Sequence, residues 1–163
     1  MSRYFEKISF EQFKKDVKDD RELYDSFPLP CRKTINAAGY DFELLEDIVL
    51  QPGERRKFPT GIKSRMESGD MLLLLDRGST GTKYNLRMCN QVGVIDADYY
   101  NNIANEGHLF YMLQNEGKET FVAHKGECLI QGIFTTYLLT DDDNCQNSIR
   151  VGGFGSTNKK EKE

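Results

Sequence analysis

Residues 67–81, which read ESGDMLLLLDRGSTG, decide the fold class. A short apolar run, MLLLL, stands between two groups of turn residues, ESGD and RGSTG. Short apolar runs that are bounded by glycine, serine and aspartate are typical of β-strands. The stretch therefore predicts one strand between two turns.

The same pattern continues on both sides of this stretch. Further turn signals are QPGE at 51–54, NEGK at 115–118 and HKGE at 124–127, and the runs between them are IVL, GIKSRM, VGVI, HLFYML, TFVA and CLIQGIFTTYLL. One turn in roughly ten residues is typical of an all-β sandwich or barrel. The alternating helices of a doubly wound nucleotide-binding fold are missing.

Only the N-terminal stretch ISFEQFKKDV has a helical pattern. Ser9 followed by Gln12 fits a capping box, and Ile8 and Phe13 stand where a hydrophobic staple would. The FPLP sequence at 27–30 ends the helix. We therefore expect an N-terminal helical extension at 1–27, a β domain at 28–140 and a polar, glycine-rich arm at 141–163.

Composition limits the classes of function. The length of 163 residues suits one domain with a real core. A net charge of −4 and a pI near 5.3 argue against a general nucleic-acid-binding protein. No apolar run approaches the length of a membrane span and the N-terminus lacks a signal-peptide pattern, so we expect no membrane partner and a cytoplasmic location.

Cysteine and histidine provide no metal motif. The four cysteines are far apart and lack zinc spacing, so we expect reduced thiols. His108 and His124 form no ligand pair, and a lone histidine is more often structural than catalytic.

The sequence DRGSTGTK at 76–83 is a candidate anion-binding loop. Glycine permits a nest of backbone N–H groups, the hydroxyls add donors, and Arg77 supplies a bidentate cation. It does not fit a Walker A loop, and the alternative is an ordinary glycine-rich turn.

The sequence NQVGVIDADYY at 90–100 carries the candidate catalytic carboxylates. Gly93 permits a close backbone approach, and a regular strand would put Asp96 and Asp98 on the same side. Paired carboxylates can activate water or hold magnesium, although a hairpin also explains aspartates here. Asp41, in AAGYDFE at 37–43, is a further acidic residue within a strand-like segment.

The tail RVGGFGST at 150–157 is a second glycine-rich segment that follows an arginine. Its composition fits a solvated tail, but its glycines and hydroxyls could also bind phosphate while Phe154 covers a base. Two such segments and an aspartate together predict a polyphosphate substrate and a hydrolytic water.

The order of these motifs resembles that of the trimeric dUTP diphosphatases (dUTPases). The series AAGYD, RGSTG, N-x-VGVIDADY, G-E-x-L-I-Q and R-x-GGFGST runs from about Leu29 to Thr157. The resemblance implies a β jelly roll in a homotrimer, with sites between subunits and each C-terminal arm closing over a neighbour's site. It also implies magnesium-assisted hydrolysis of dUTP to dUMP and pyrophosphate, which limits uracil in DNA and supplies dUMP for thymidylate synthesis.

The resemblance also assigns roles to residues. Asp96 would be the catalytic residue that orients water, and Tyr99 would stack under the sugar and leave no room for a 2′-hydroxyl. Asp41 would contact the hydration shell of Mg²⁺. The remaining substrate-binding residues are Asn90, Gly93, Val94 and Ile95 for uracil; Arg77, Gly78, Ser79, Thr80, Gln131 and Arg150 for the phosphates; Phe154, Gly155, Ser156 and Thr157 on the closing arm; and Phe110.

The chain departs from the family pattern at four places. Gly78 replaces a hydroxyl residue, so either Ser79 or Thr80 must substitute for it or backbone N–H groups must suffice. The six residues NNIANE at 101–106 are inserted before Gly107, and His108 stands where the family has glutamate. Cys128 replaces an arginine, and the spacing after Arg150 is one residue shorter.

Two other functions are compatible with the sequence. The dCTP deaminases share the fold and the Gly-His pair at 107–108, but they use a glutamate where this chain has Met112. A non-catalytic binding module would bind a protein partner, such as a repressor, through the 101–106 insertion or the N-terminal helix.

Overall fold

The structure, a computed structural model, describes residues 2–145, and in this range most regular elements are short strands. In chain order the strands are β1 (Tyr4–Lys7), β2 (Tyr40–Glu43), β3 (Ile48–Leu50), β4 (Arg55–Pro59), β5 (Ile62–Arg65), β6 (Asp70–Asp76), β7 (Leu86–Met88), β8 (Gly93–Asp96), β9 (Phe110–Asn115), β10 (Phe121–Ala123) and β11 (Cys128–Thr136). The helices are α1 (Phe10–Asp16), α2 (Arg21–Ser26) and α3 (Gly78–Thr82), with a 3₁₀ turn at Ala97–Tyr99.

The run MLLLL forms β6, as predicted, because its leucines alternate between two environments. Leu72 and Leu74 are fully buried and face the core, whereas Met71, Leu73 and Leu75 are half-buried. β6 pairs with β11 along its whole length, from Asp70↔Thr136 to Asp76↔Ile130. This long pair forms the centre of the largest sheet.

The strands form four sheets, and every pairing is antiparallel. The largest sheet has the order β2-β11-β6-β8, a second has the order β4-β9-β7, and β1-β5 and β10-β3 form two-stranded sheets. The all-β prediction is confirmed. The pairing does not itself show the closed jelly-roll arrangement that the resemblance implies.

The N-terminal helix begins as predicted but is held by a distant residue. Ser9 Oγ accepts the Gln12 N–H at 3.1 Å, and the staple residues Ile8 and Phe13 are fully buried. The reciprocal half of the capping box does not form, because the Ser9 N–H donates to Glu106 Oε2 at 2.9 Å. The 101–106 insertion is therefore joined to α1.

The expectation of a single helix is wrong, because α2, α3 and the 3₁₀ turn lie outside the predicted one. None of the described helices is long and apolar enough to span a membrane. The N-terminal residues also include β1, which pairs with β5, so this segment contributes both a strand and helices to the core. The division of the chain at residues 27 and 140 stays a prediction.

Candidate active site

A pocket of about 460 Å³ lies between the four-stranded and the three-stranded sheets. It brings together the predicted residues Asn90, Gly93, Val94, Ile95, Asp96, Tyr99 and Phe110, and its other lining residues are Lys57, Leu74, Met88, Leu109, Tyr111 and Met112. A largely apolar cavity with a few polar groups is typical of a small-molecule site.

One wall of the pocket is β8, which forms the edge of its sheet. β8 pairs with β6 alone among the described strands, and Gly93 lies opposite Leu74. An edge strand directs one row of backbone N–H and C=O groups away from the sheet. A Cβ atom on Gly93 would lie 3.2 Å from Leu74 Cβ, so glycine permits the close packing of these two strands. Such a backbone wall suits the recognition of a planar base.

The turn at Asn90 connects two sheets. β7, before the turn, pairs with β9, whereas β8, after it, pairs with β6. Gln91 has φ +61°, and the Val92 N–H donates to Asn90 O at 2.6 Å. The turn therefore places Asn90 at the junction of the two sheets, where it lines the pocket.

Asp96 and Asp98 do not lie side by side on one strand. β8 ends at Asp96, and the next three residues form a 3₁₀ turn, so the alternation on which the pairing depended stops there. Only Asp96 lines the pocket. The expected carboxylate pair is therefore wrong, and Asp96 is the catalytic candidate.

Tyr99 is a buried wall of the pocket, and both its hydroxyl and its backbone carbonyl are hydrogen-bonded. The hydroxyl donates to His108 O at 3.1 Å and accepts from Asn105 Nδ2 at 2.8 Å. The backbone carbonyl accepts from Asn102 Nδ2 at 2.8 Å. The residue keeps only 6% of its surface exposed.

His108 is a structural residue behind the pocket. It is fully buried, its Nε2 accepts the Gly61 N–H at 2.9 Å, and its Nδ1 lies 2.7 Å from Asp16 Oδ2. Because a backbone N–H can only donate, Nε2 is unprotonated and Nδ1 carries the proton. Burial, more than any other effect, lowers the pKa of His108, which keeps the ring neutral.

Phe110 lies between His108 and a cation that the sequence did not reveal. The His108 and Phe110 rings are 4.0 Å apart, and Lys57 Nζ lies 3.8 Å from the centre of the Phe110 ring. Lys57 belongs to β4, whose sequence RRKFP is charged and has little apolar pattern. Only the register of β4 with β9, which sets Lys57 opposite Met112, brings this lysine to the pocket.

A second group of predicted residues, Asp41, Arg77 and Gln131, lies elsewhere on the large sheet; we call it the arginine cluster. Arg77 Nε is 3.1 Å from Asp41 Oδ1, and Arg77 Nη1 donates to Cys128 O at 3.0 Å. Gln131 lies opposite Asp41 in the strand register and donates to Asp76 O at 3.2 Å. The Asp41 side chain is almost fully buried, so its position beside Arg77 is well defined.

The expected glycine-rich loop after Arg77 is the short helix α3. Thr80 within it is fully buried, and its hydroxyl donates to Leu129 O. Thr80 is therefore wrong as a hydroxyl donor to phosphate, since that hydroxyl is already used inside the protein. Gly78 and Ser79 are exposed beside Arg77.

The arginine cluster is distant from Asp96 within one chain. Asp96 lies opposite Met71 on β6, and Gln131 lies opposite Leu75 on the other side of that strand. Four residues along a strand and two strand spacings put their Cα atoms about 16 Å apart. The pocket and the arginine cluster are therefore two separate parts of the chain's predicted site.

The predicted arm residues Arg150, Phe154, Gly155, Ser156 and Thr157 lie outside the described residues. Their predicted contacts with the base and the phosphates stay predictions.

Comparison with known proteins identifies the family. The dUTPase family model matches residues 25–158. A deoxyuridine 5′-triphosphate nucleotidohydrolase of Lactococcus lactis subsp. lactis (strain IL1403) is 46% identical over 130 residues, which cover 79% of this chain and 87% of the relative. The crystal structure of the Streptococcus mutans dUTPase is 40% identical, with a TM-score of 0.69 over 84% of this chain and 98% of that one.

A more distant structure has the same fold. A point mutant of the dUTPase from phage phi11 of S. aureus, in which a structural Mg(II) ion is coordinated, is 18% identical, with a TM-score of 0.65 over 91% of this chain and 99% of that one. The family model and the close relatives, together with the placement of Asp96 and Tyr99 in one pocket, support one conclusion: this chain belongs to the dUTPase family.

Proposed function

We propose that the protein hydrolyses dUTP to dUMP and pyrophosphate. The observation that carries this proposal is the pocket, which combines an edge-strand wall, the carboxylate of Asp96 and the ring of Tyr99. A water molecule adds its oxygen to phosphorus, the anhydride bond between the α and β phosphates breaks, and pyrophosphate leaves. Hydrolysis of dUTP limits uracil in DNA and supplies dUMP for thymidylate synthesis.

Asp96 orients the attacking water and accepts its proton. Because a carboxylate is a weak base, most of the acceleration comes from positioning and from stabilisation of the developing charge. The position of Asp96 at the end of β8 suits this role, since the strand fixes the backbone that carries the carboxylate.

The pocket walls select the substrate. The backbone of Gly93, Val94 and Ile95, with Asn90 at the turn, reads the uracil edge and leaves no room for a 5-methyl group, which excludes thymine. Cytosine is excluded because its donors and acceptors do not match that wall. The ring of Tyr99 supports the deoxyribose and excludes a 2′-hydroxyl.

The arginine cluster fits a phosphate site. Arg77 supplies a fixed cation, Gln131 a neutral amide, and Gly78 and Ser79 lie beside Arg77 at the start of α3. Arg150 and the arm residues 154–157 complete the phosphate and base contacts. Since Thr80 Oγ1 is buried, we leave Thr80 out of this set.

The donor set fits a magnesium ion that arrives with the triphosphate. Among residues 2–145 no group of three His, Cys, Asp or Glu side chains could hold a metal by itself. Mg²⁺ commonly keeps several waters and binds through one or two carboxylates and substrate phosphates, so Asp41 would contact its hydration shell. When bound, the ion neutralises phosphate charge in the transition state.

We propose that the active enzyme is a homotrimer, in the cytoplasm, with arms exchanged between subunits. The separation of about 16 Å between Asp96 and Gln131 supports this, because a phosphate chain can meet both groups if a neighbouring subunit supplies one of them. Closure of the arm over a neighbour's site would cover the base with Phe154.

Product analysis with dUTP, dCTP, dTTP and UTP, with and without Mg²⁺, tests the proposal. We expect dUMP and pyrophosphate from dUTP in the presence of Mg²⁺ and far slower turnover of the other three. Formation of dUTP from dCTP would indicate the deaminase alternative. Absence of any turnover would favour the non-catalytic binding module.

A further inference from the structure

The insertion at residues 101–106 folds back onto Tyr99. Asn105 Nδ2 donates to the Tyr99 hydroxyl at 2.8 Å, and Asn102 Nδ2 donates to the Tyr99 carbonyl at 2.8 Å. Both ends of this tyrosine are therefore bonded to the same six-residue segment. Ile103, at the outer side of the segment, is 87% exposed and takes no part in these hydrogen bonds to Tyr99.

The amide of Asn105 is itself held in a fixed orientation. Its Oδ1 accepts the Gly107 N–H at 3.1 Å and Asn102 Nδ2 at 2.9 Å. With the oxygen occupied by two donors, the NH₂ group must point toward Tyr99. A fixed donor defines the position of its acceptor more narrowly than a mobile one does.

Contacts outside the insertion keep it in place. Glu106 accepts hydrogen bonds from the Ser9 N–H and hydroxyl, and Lys63 donates to Asn101 Oδ1 at 2.7 Å. Lys63 Nζ is also 3.6 Å from Glu106 Oε2. The segment that holds Tyr99 is thus attached to α1 and to β5.

We propose that Asn105 is a positioning residue that sets the orientation of the Tyr99 ring and thereby the preference for deoxyribose over ribose. The inference rests on the proposed function, in which Tyr99 is the sugar-discriminating wall. Two hydrogen bonds, from Asn105 and to His108 O, fix the hydroxyl end of the ring. Loss of the Asn105 bond removes one of these two hydrogen bonds, so the ring can tilt and open space at the 2′ position.

The test compares kcat/KM for dUTP and for UTP in the wild-type, Asn105→Ala and Ile103→Ala proteins. We expect Asn105→Ala to narrow the dUTP/UTP ratio about fivefold, the effect of losing one neutral hydrogen bond. Ile103→Ala is the matched control in the same segment, and its ratio should equal that of the wild type.

A double-mutant cycle separates positioning from general loosening of the segment. Tyr99→Phe removes this hydrogen bond together with the one to His108 O, so it should narrow the ratio at least as much as Asn105→Ala does. In the Tyr99→Phe background, Asn105→Ala should then leave the ratio unchanged. If Asn105→Ala does not fold, Tyr99→Phe alone supplies the measurement.

An unchanged dUTP/UTP ratio in Asn105→Ala or in Tyr99→Phe would overturn the inference while leaving dUTP hydrolysis intact. A full additional effect of Asn105→Ala in the Tyr99→Phe protein would also overturn it, because Asn105 would then act by another route. A wild-type protein that does not hydrolyse dUTP would overturn the proposed function itself.

Discussion

At the scale of single residues, His108 links the stability of the fold to pH. The folded protein lowers its pKa below the ordinary value, mainly through burial, with Lys57 acting in the same direction and Asp16 and Glu106 opposing it. Protonation would also place a second donor, Nε2–H, against the Gly61 N–H. The unfolded chain therefore takes up a proton at higher pH than the folded one does.

We predict that stability falls when the pH is lowered through about 6.5, the ordinary pKa of histidine. The contribution of His108 is fully present above that pH and is lost progressively as the pH falls toward its lowered folded value. Urea unfolding at pH 7.5, 6.5 and 5.5, at one protein concentration, measures the effect.

Two variants show whether His108 is responsible for that pH dependence. His124→Gln, which replaces an exposed histidine, should keep the wild-type dependence over this range. His108→Gln should have a lower stability with a weaker dependence. Equal slopes in the wild-type and His108→Gln proteins would contradict the assignment.

The structure assigns different environments to Asp96 and Asp98, although the sequence suggested a pair. We predict that Asp96→Asn folds and binds dUTP but turns over at least about a hundredfold more slowly, the usual effect of losing a positioned base. Asp98→Asn is the matched control, because Asp98 does not line the pocket. Steady-state kinetics and a binding titration check both variants. Wild-type turnover by Asp96→Asn would remove that residue from the mechanism.

At the scale of elements, the close packing of the insertion against the 3₁₀ turn requires glycine at position 107. Gly107 has φ +82°, and a Cβ there would lie 2.6 Å from Tyr99 O, which is a backbone atom that cannot easily move. Gly53 has a similar φ of +79° but has no atom within 4 Å of its Cβ position. The two glycines therefore separate the cost of the backbone conformation from the cost of the steric clash.

We predict that Gly53→Ala lowers the free energy of unfolding by about 1–2 kcal/mol, the cost of a left-handed conformation for alanine. Gly107→Ala should lower it by about 2–5 kcal/mol, because overpacking adds about 1–3 kcal/mol. Urea unfolding of both variants provides the comparison. Equal losses would mean that the insertion can move away from Tyr99 at little cost.

The sequence predicted the elements that have strong local signals. Apolar runs bounded by turns, such as β6, and the Ser9 cap of α1 can be recognised from a few neighbouring residues. β4 was missed because its sequence RRKFP is polar and gains its structure from pairing with β9. α3 was read as a loop because its two glycines and three hydroxyl residues are weak helix formers, and contacts such as that of Thr80 with Leu129 override that preference.

The candidate site shows the same limit. The motifs at Asn90, Gly93 and Asp96 identified one wall of the pocket, since they are adjacent in the chain. Lys57 could not be found this way, because a strand register brings it to the pocket. The ion pair of Asp41 likewise joins two residues that are distant in sequence, because its partner is Arg77.

At the scale of the whole molecule, the separation of Asp96 from the arginine cluster makes subunit mixing informative. Asp96→Asn and Arg77→Ala should each be nearly inactive. If each site takes Asp96 from one subunit and Arg77 from another, random 1:1 mixed trimers contain intact sites at about a quarter of the positions, since each residue is wild type in half of the subunits.

We therefore predict that unfolding and refolding the two variants together restores about a quarter of wild-type activity per subunit. Each variant refolded alone is the control, and sedimentation establishes the oligomeric state of the mixture. No recovery in a mixture that does form trimers would place both residues in a site within one subunit.

The bonds that hold α1 also set an order of events during synthesis. Ser9 depends on Glu106 and Asp16 on His108, so the N-terminal helix meets these two partners only after about a hundred residues have been made. At about 5–20 residues per second, the ribosome takes about 5–20 s to cover that interval. A helix of seven residues is too short to persist alone, so Ile8 and Phe13 spend this time without the complete core that buries them in the folded protein. The first segment to emerge from the ribosome is among the last to be secured, and a nascent chain stalled before residue 106 would present this apolar segment to chaperones.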